Sequence, residues 1–157
     1  MYALRGLLSV LARFMIVAIF LVSAVASKML HFNEVAGTMA GKGLPQPHIL
    51  LVGAIGFLIL GSLSILLGYR GRTGAFLLLV FLAAATWYFH DFWKAPPDTP
   101  PKELEQEVIH FLKNVALMGT MIFIIANGTG PWSLSNRPRT LQDEPQDPDA
   151  PPRRQIG

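Results

Sequence analysis

The sequence predicts an all-α membrane protein, a bundle of four transmembrane helices with its N- and C-termini in the cytoplasm. Hydrophobic residues make up 52% of the chain and charged residues only 15%, whereas soluble domains carry about 25% charged residues. The apolar residues are concentrated in four runs of roughly 20 residues, and a helix of that length crosses a hydrocarbon core about 30 Å thick. The basic residues lie near the ends of these runs.

The predicted spans cover residues 7–28, 48–68, 74–92 and 108–127. Each is apolar around its whole circumference, unlike the one-sided stripe of a surface helix. Small residues within or beside them, including Gly53, Gly56, Gly61, Gly68 and Gly119, predict close helix packing. Residues 1–130 therefore form one membrane domain. Residues 131–157 are rich in proline and polar side chains with little to bury, which predicts a disordered cytoplasmic tail.

The first run allows a second interpretation. Arg13 interrupts it, and Ala24-Val25-Ala26 resembles a signal-peptidase site. Cleavage there would leave three spans. We favour a retained span because Lys28 and His31 follow it as a polar exit, and because Arg13 can snorkel to the interface or face the bundle.

Arginines and lysines separate by side. All arginines fall at the N-terminus, in the turn between spans two and three, or in the tail, whereas all lysines fall on the other side. The arginine side has the larger number of basic residues, which places it in the cytoplasm. Membrane orientation thus accounts for the net charge of +3 without a nucleic-acid partner.

All four histidines lie at the ends of the spans opposite the arginines: His31, His48, His90 and His110. Each is explained by contact with water at the interface, but His90 and His110 have further polar neighbours. On a helix His110, Lys113 and Asn114 share one face, and a lysine at that depth needs a partner, for which Asp91 or Glu107 is expected. We therefore predict a candidate polar pocket, whose members are His90, Asp91, His110, Lys113, Asn114, Arg13 and Lys28.

Three ligands suit such a pocket. A quinone needs histidine or lysine donors and aromatic walls, a small anion needs the cations, and a metal needs two or more neutral histidines. No HxxxH or HxxH pair is present, and no two histidines lie mid-membrane, so the sequence has no metal or haem signature. It also lacks cysteine, a nucleophile elbow, a phosphate loop and a dinucleotide fingerprint. A quinone is the remaining candidate cofactor, and no catalytic residue is assigned.

Several motifs resemble those of the DoxX-like family of small bacterial membrane proteins. They are Ala12-Arg13 through Lys28, Lys42-Gly43-Leu44-Pro45, Leu66-Leu67-Gly68 with Arg72, His90-Asp91-Phe92-Trp93, and His110 to Asn114, over about residues 5–133. The resemblance implies a four-helix bundle in the bacterial cytoplasmic (inner) membrane, in a family with some subunits linked to thiosulfate or quinone oxidoreduction. Many members have an acidic residue before Gly-Gly in the second helix, where this chain has Phe57 to Ser62. The missing carboxylate argues against proton-coupled chemistry at this position of the second helix.

Our leading hypothesis is an accessory or anchor subunit that supports quinone-linked or sulfur-linked redox metabolism, at most as a subunit of a membrane oxidoreductase. Because the chain has no cysteine, a partner oxidoreductase subunit would have to handle sulfur. An alternative is a carrier for a small solute or lipid, working as a homo-oligomer, with Arg13 and Lys113 as internal charges. A bundle with only a scaffolding role is the third hypothesis.

Overall fold

The computed structural model describes residues 2–135, which contain helices and no strands. Helix α1 (Tyr2–Val22) continues directly into a π-helical segment, Ser23–Met29. The remaining helices are α2 (Phe32–Gly41), α3 (Pro47–Leu67), α4 (Gly71–Phe89) and α5 (Pro101–Asn127), with a 3₁₀ turn at Phe92–Lys94. The predicted disorder of residues 136–157 lies outside the described residues.

Four helical stretches are long and apolar enough to cross a bilayer: Ala3–Met29, Pro47–Leu67, Gly71–Lys94 and Pro101–Asn127. The predicted number of spans is therefore confirmed, and most boundaries lie within three residues of the predicted ones, with two larger differences. The first stretch begins before residue 7, and α5 begins at Pro101 rather than at residue 108. Proline is favoured in the first helical position, so α5 gains two polar turns before its apolar part.

Helix α2 lies in the connection between the first two spans, for which the sequence predicted no regular structure. Its Ala36 and Met39 are buried against Leu51 of α3, and Phe89 of α4 packs against the same cluster. This small second core covers the histidine end of the bundle.

A larger core joins all four membrane-length helices. It includes Phe20 of α1, Leu58 of α3, Leu78 of α4 and Met121 of α5, all buried. Helix α3 packs against α1 and α4, and α4 packs against α5. Within the described residues, α1 and α5 have no Cα atoms within 8 Å of each other. The backbones of α1 and α5 are therefore farther apart than those of α3 and α4, although both helices contribute to the same core.

The backbones of α3 and α4 approach each other closely at two glycines. A Cβ atom on Gly61 would lie 2.9 Å from the carbonyl oxygen of Gly74, and one on Gly74 would lie 2.7 Å from that of Gly61. A Cβ atom on Gly53, Gly56 or Gly119 would meet nothing within 4 Å. The prediction of close packing is thus correct for Gly61 and wrong for these other three.

Residues 128–135, here called the C-terminal strap, close the arginine end of the bundle. Ser9 Oγ donates to the carbonyl of Thr129 at 2.9 Å. The backbone N–H of Leu134 donates to the carbonyl of Leu67 at 3.2 Å. The ring of Trp132 packs on Gly6, so both ends of the described chain lie at the same end of the bundle. Assigning residues 131–135 to a disordered tail was wrong, because these hydrogen bonds hold them against α1 and α3.

Candidate functional site

A cavity of about 760 Å³ lies in the half of the bundle that contains the histidines. All four membrane-length helices and α2 contribute to its walls, which are mostly apolar and aromatic. We call it the outer cavity. Its polar and charged lining residues are Ser23, Lys28, His90, Lys113 and Asn114.

Lys28 reaches the outer cavity because α1 ends as a π-helix. In that segment the backbone closes i to i+5 hydrogen bonds, as from Leu30 N–H to the carbonyl of Val25 at 3.2 Å. The same spacing lets Lys28 Nζ donate to Ser23 Oγ at 2.7 Å. The ammonium group also lies 5.3 Å from the ring centroid of Phe81, a cation–π contact. Lys28 is therefore held in the cavity wall by these contacts and is partly buried, rather than serving as a simple polar exit.

Asn114 is buried, with 6% of its surface exposed. Its Nδ2 donates to Thr86 Oγ1 at 3.0 Å, and Thr86 is buried to the same extent. This hydrogen bond joins α5 to α4 beside the cavity. Asn114 was predicted from the sequence, whereas Thr86 was not, because its only signal was a hydroxyl among the apolar residues of the third span.

Four titratable side chains form a row beside the cavity. His90 Nδ1 lies 3.0 Å from Glu107 Oε2, and the His90 ring stacks on that of His110 with centroids 5.2 Å apart. Lys113 Nζ lies 3.1 Å from His110 Nδ1. An ammonium group can only donate, so His110 accepts at Nδ1. The expected pairing of Lys113 with Asp91 or Glu107 is wrong, since Glu107 bonds His90.

Asp91 belongs to a separate ion cluster. Its carboxylate oxygens lie 3.2 Å from Lys42 Nζ and 3.3 Å from Lys94 Nζ. Lys42 follows α2, whereas Lys94 follows α4, so the cluster fastens two connections to each other. Asp91 does not line the outer cavity, so the prediction that it belongs to the pocket was wrong.

Arg13 lies at the opposite end of the bundle. It precedes Lys28 by fifteen residues, which is about 22 Å along a helix at ~1.5 Å per residue. Only 3% of its surface is exposed, and its Nη2 donates to the carbonyls of Pro131 and Trp132 at 3.3 and 3.0 Å. Arg13 holds the C-terminal strap and is not part of the predicted pocket.

The outer cavity is suited to a ligand with hydrogen-bond-accepting oxygens and an apolar body. Lys28, Lys113 and Asn114 supply donors, and the aromatic rings of Phe57, Phe81 and Tyr88 belong to the walls. Within residues 2–135, no group of three or more metal-binding side chains is placed to hold an ion. The arrangement offers donors and apolar walls to a ligand of that chemistry.

A family model described as DoxX matches residues 8–91, more than half of the chain. The chain is also similar to "Inner membrane protein YphA" of Escherichia coli (strain K12), at 27% identity over 135 residues that cover 86% of this chain and 93% of that relative. No solved structure matches the chain. Together with the four membrane-length helices, these similarities confirm the predicted location as a multi-pass protein of the bacterial inner membrane.

Proposed function

Because the chain belongs to the DoxX family of membrane proteins, we propose that it binds a quinone in the outer cavity and supports a partner oxidoreductase as an accessory or anchor subunit. In this proposal the arginine end faces the cytoplasm, as the distribution of basic residues predicts. The partner performs the sulfur or other substrate oxidation, since this chain has no cysteine. The chain provides the place where the quinone is held.

The observation that supports quinone binding is the composition of the outer cavity. Its volume of about 760 Å³ lies within the range of about 300–1,000 Å³ that small-molecule sites occupy. A quinone has two carbonyl oxygens that accept hydrogen bonds and a ring and tail that are apolar. Lys28, Lys113 and Asn114 provide donors in walls that are otherwise mostly apolar, where hydrogen bonds are stronger than in water.

The row of titratable residues favours a redox role over a purely scaffolding one. Reduction of a quinone to a quinol takes up two protons with two electrons, and the partner oxidoreductase would supply the electrons. The side chain of Glu107 is 44% exposed, whereas His90 and Lys113 line the cavity. The row thus joins a half-exposed carboxylate to the ligand site through groups that gain and lose protons. A scaffold would not require such an arrangement.

The proposal is tested by quinone binding to the purified chain. We expect quinone to co-purify in mild detergent, and a short-chain benzoquinone to raise the melting temperature of quinone-depleted protein. Lys113→Gln removes a charged donor, which is worth about 1.5–3 kcal/mol, so Kd should rise about 10- to 150-fold. Lys102→Gln is the matched control, because Lys102 is exposed on the first turn of the same helix and lies outside the cavity.

Other outcomes would select among the alternatives. Equal quinone affinity in Lys113→Gln and Lys102→Gln, or no binding by the wild type, would refute the quinone site. If proteoliposomes containing only this chain took up a solute or flipped a lipid, the carrier hypothesis would replace it. A partner captured equally well by wild type and by Lys113→Gln, with no quinone bound to either, would leave the scaffolding role.

A further inference from the structure

Charge is distributed very unevenly between the two ends of the described chain. All of its carboxylates lie at the histidine end: Glu34, Asp91, Asp98, Glu103, Glu105 and Glu107. The arginine end contains Arg5, Arg13, Arg70 and Arg72 and no carboxylate within residues 2–135. The ion pairs of this part of the chain involve only lysine and histidine as cations. The arginine end therefore has a positive charge that these residues do not balance.

A second cavity, of about 530 Å³, lies at this end. The turn between α3 and α4, the first turn of α4 and the C-terminal strap form its walls. Arg70 and Arg72 line it together with the hydroxyl-bearing Thr73 and Thr129. We call it the arginine cavity. It contrasts with the outer cavity, whose walls are mostly apolar.

Backbone donors add to these side chains. Helix α4 begins at Gly71, and no side chain caps its N-terminus. The first N–H groups of a helix have no acceptor within the helix, and they carry a partial positive charge. Gly71 and Arg72 supply such groups in the cavity lining. The backbone here can therefore donate to the same ligand as the guanidinium groups.

Arg13 adds positive charge behind one wall of the arginine cavity. Its side chain is almost completely buried, yet its Nη1 atom has no hydrogen-bond partner. That atom is directed at Gly68, where a Cβ atom would lie 2.6 Å from it, and Gly68 is part of the cavity lining. A buried cation with an unused donor raises the positive potential behind this wall.

We propose that the arginine cavity binds a phosphate group, either the headgroup of an anionic phospholipid or free phosphate. Arginine forms paired, charge-assisted hydrogen bonds with phosphate oxygens, and helix N-termini bind the same group. Arg70 lies between α3 and α4 and Arg72 in the first turn of α4, at the end of two membrane-length helices, where lipid headgroups are expected. Basic pockets between transmembrane helices bind anionic headgroups at that depth. The proposal is independent of quinone binding in the outer cavity.

The test uses the full chain purified in detergent. Native mass spectrometry and thermal unfolding are followed with added phosphatidylglycerol, phosphatidylcholine or inorganic phosphate. We expect one phosphatidylglycerol per chain, and a higher melting temperature with it than with phosphatidylcholine. A rise with inorganic phosphate and no preference between the lipids would identify free phosphate as the source and would equally support the site.

The critical variant is Arg70→Lys combined with Arg72→Lys. It keeps the charges, and hence the membrane orientation, but removes the planar guanidinium fork. A built phosphate site predicts at least fivefold weaker binding, whereas attraction to a charged surface predicts no change. Arg5→Lys is the matched control, because Arg5 is exposed at the same end and does not line the cavity.

Two results would overturn the proposal. The first is no effect of phosphatidylglycerol or phosphate on the wild type. The second is equal binding by the double variant and by Arg5→Lys.

Discussion

Gly61 and Gly56 of α3 offer a matched pair for testing how closely α3 and α4 pack. A Cβ atom on Gly61 would lie 2.8 Å from Leu78 Cγ and 2.9 Å from the carbonyl oxygen of Gly74. Carbon and carbonyl oxygen atoms ordinarily stay about 3.3–3.6 Å apart. Leu78 can change rotamer, but the Gly74 carbonyl belongs to the backbone of α4. Gly61→Ala must therefore push the two helices apart by roughly half an ångström.

The expected magnitude is a difference between two opposing effects. Overpacking a close contact costs about 1–3 kcal/mol. Replacing glycine with alanine inside a helix stabilises it by up to about 1 kcal/mol. Gly56→Ala receives only this second effect, because a Cβ atom there meets nothing within 4 Å. Because both variants gain the same stabilisation from helix propensity, Gly61→Ala should be about 1–3 kcal/mol less stable than Gly56→Ala.

The assay is reversible unfolding in mixed micelles with increasing SDS, followed by far-ultraviolet circular dichroism. The Cβ atom added by Gly74→Ala would lie 2.7 Å from the carbonyl oxygen of Gly61. This variant should therefore be destabilised in the same way, and it serves as an internal check. Free energies of unfolding for Gly61→Ala and Gly56→Ala that agree within about 0.5 kcal/mol would refute the argument. The two helices would then not be held at this glycine contact.

Two further predictions concern buried polar contacts. Asn114→Leu and Thr86→Val should each destabilise the bundle. A double-mutant cycle should give a coupling energy of about 0.6 kcal/mol, the average for hydrogen bonds between membrane helices. A coupling energy of zero would mean that the 3.0 Å contact contributes nothing to stability. Arg13→Met should lower the free energy of unfolding by about 1–3 kcal/mol, because the carbonyls of the strap lose their buried donor. Arg5→Met is its control on the same helix, and equal stability of the two would contradict a structural role for Arg13.

The candidate site was only partly predictable. The polar residues of the site were largely predictable from the sequence, because ionisable residues inside apolar runs are unusual. The cavity is indeed lined by Lys28, His90, Lys113 and Asn114. Their partners were not visible. Lys113 was expected to bond a carboxylate, yet it lies beside His110, because Asp91 is held by two lysines and Glu107 by His90. Which of several nearby charges pair depends on how the helices are rotated against each other, and apolar runs in lipid do not specify that rotation.

The sequence by itself determined the class of the protein, because a bilayer requires about 20 apolar residues for each helix that crosses it. Four such runs gave the number of spans. Only the tertiary structure separated Arg13 from the pocket and placed it under the C-terminal strap. It also placed Lys28 in the cavity wall through a π-helix. These outcomes depend on contacts between residues far apart in the chain or on a local change of helix type. Hydropathy is averaged over a whole helix and contains no information about either.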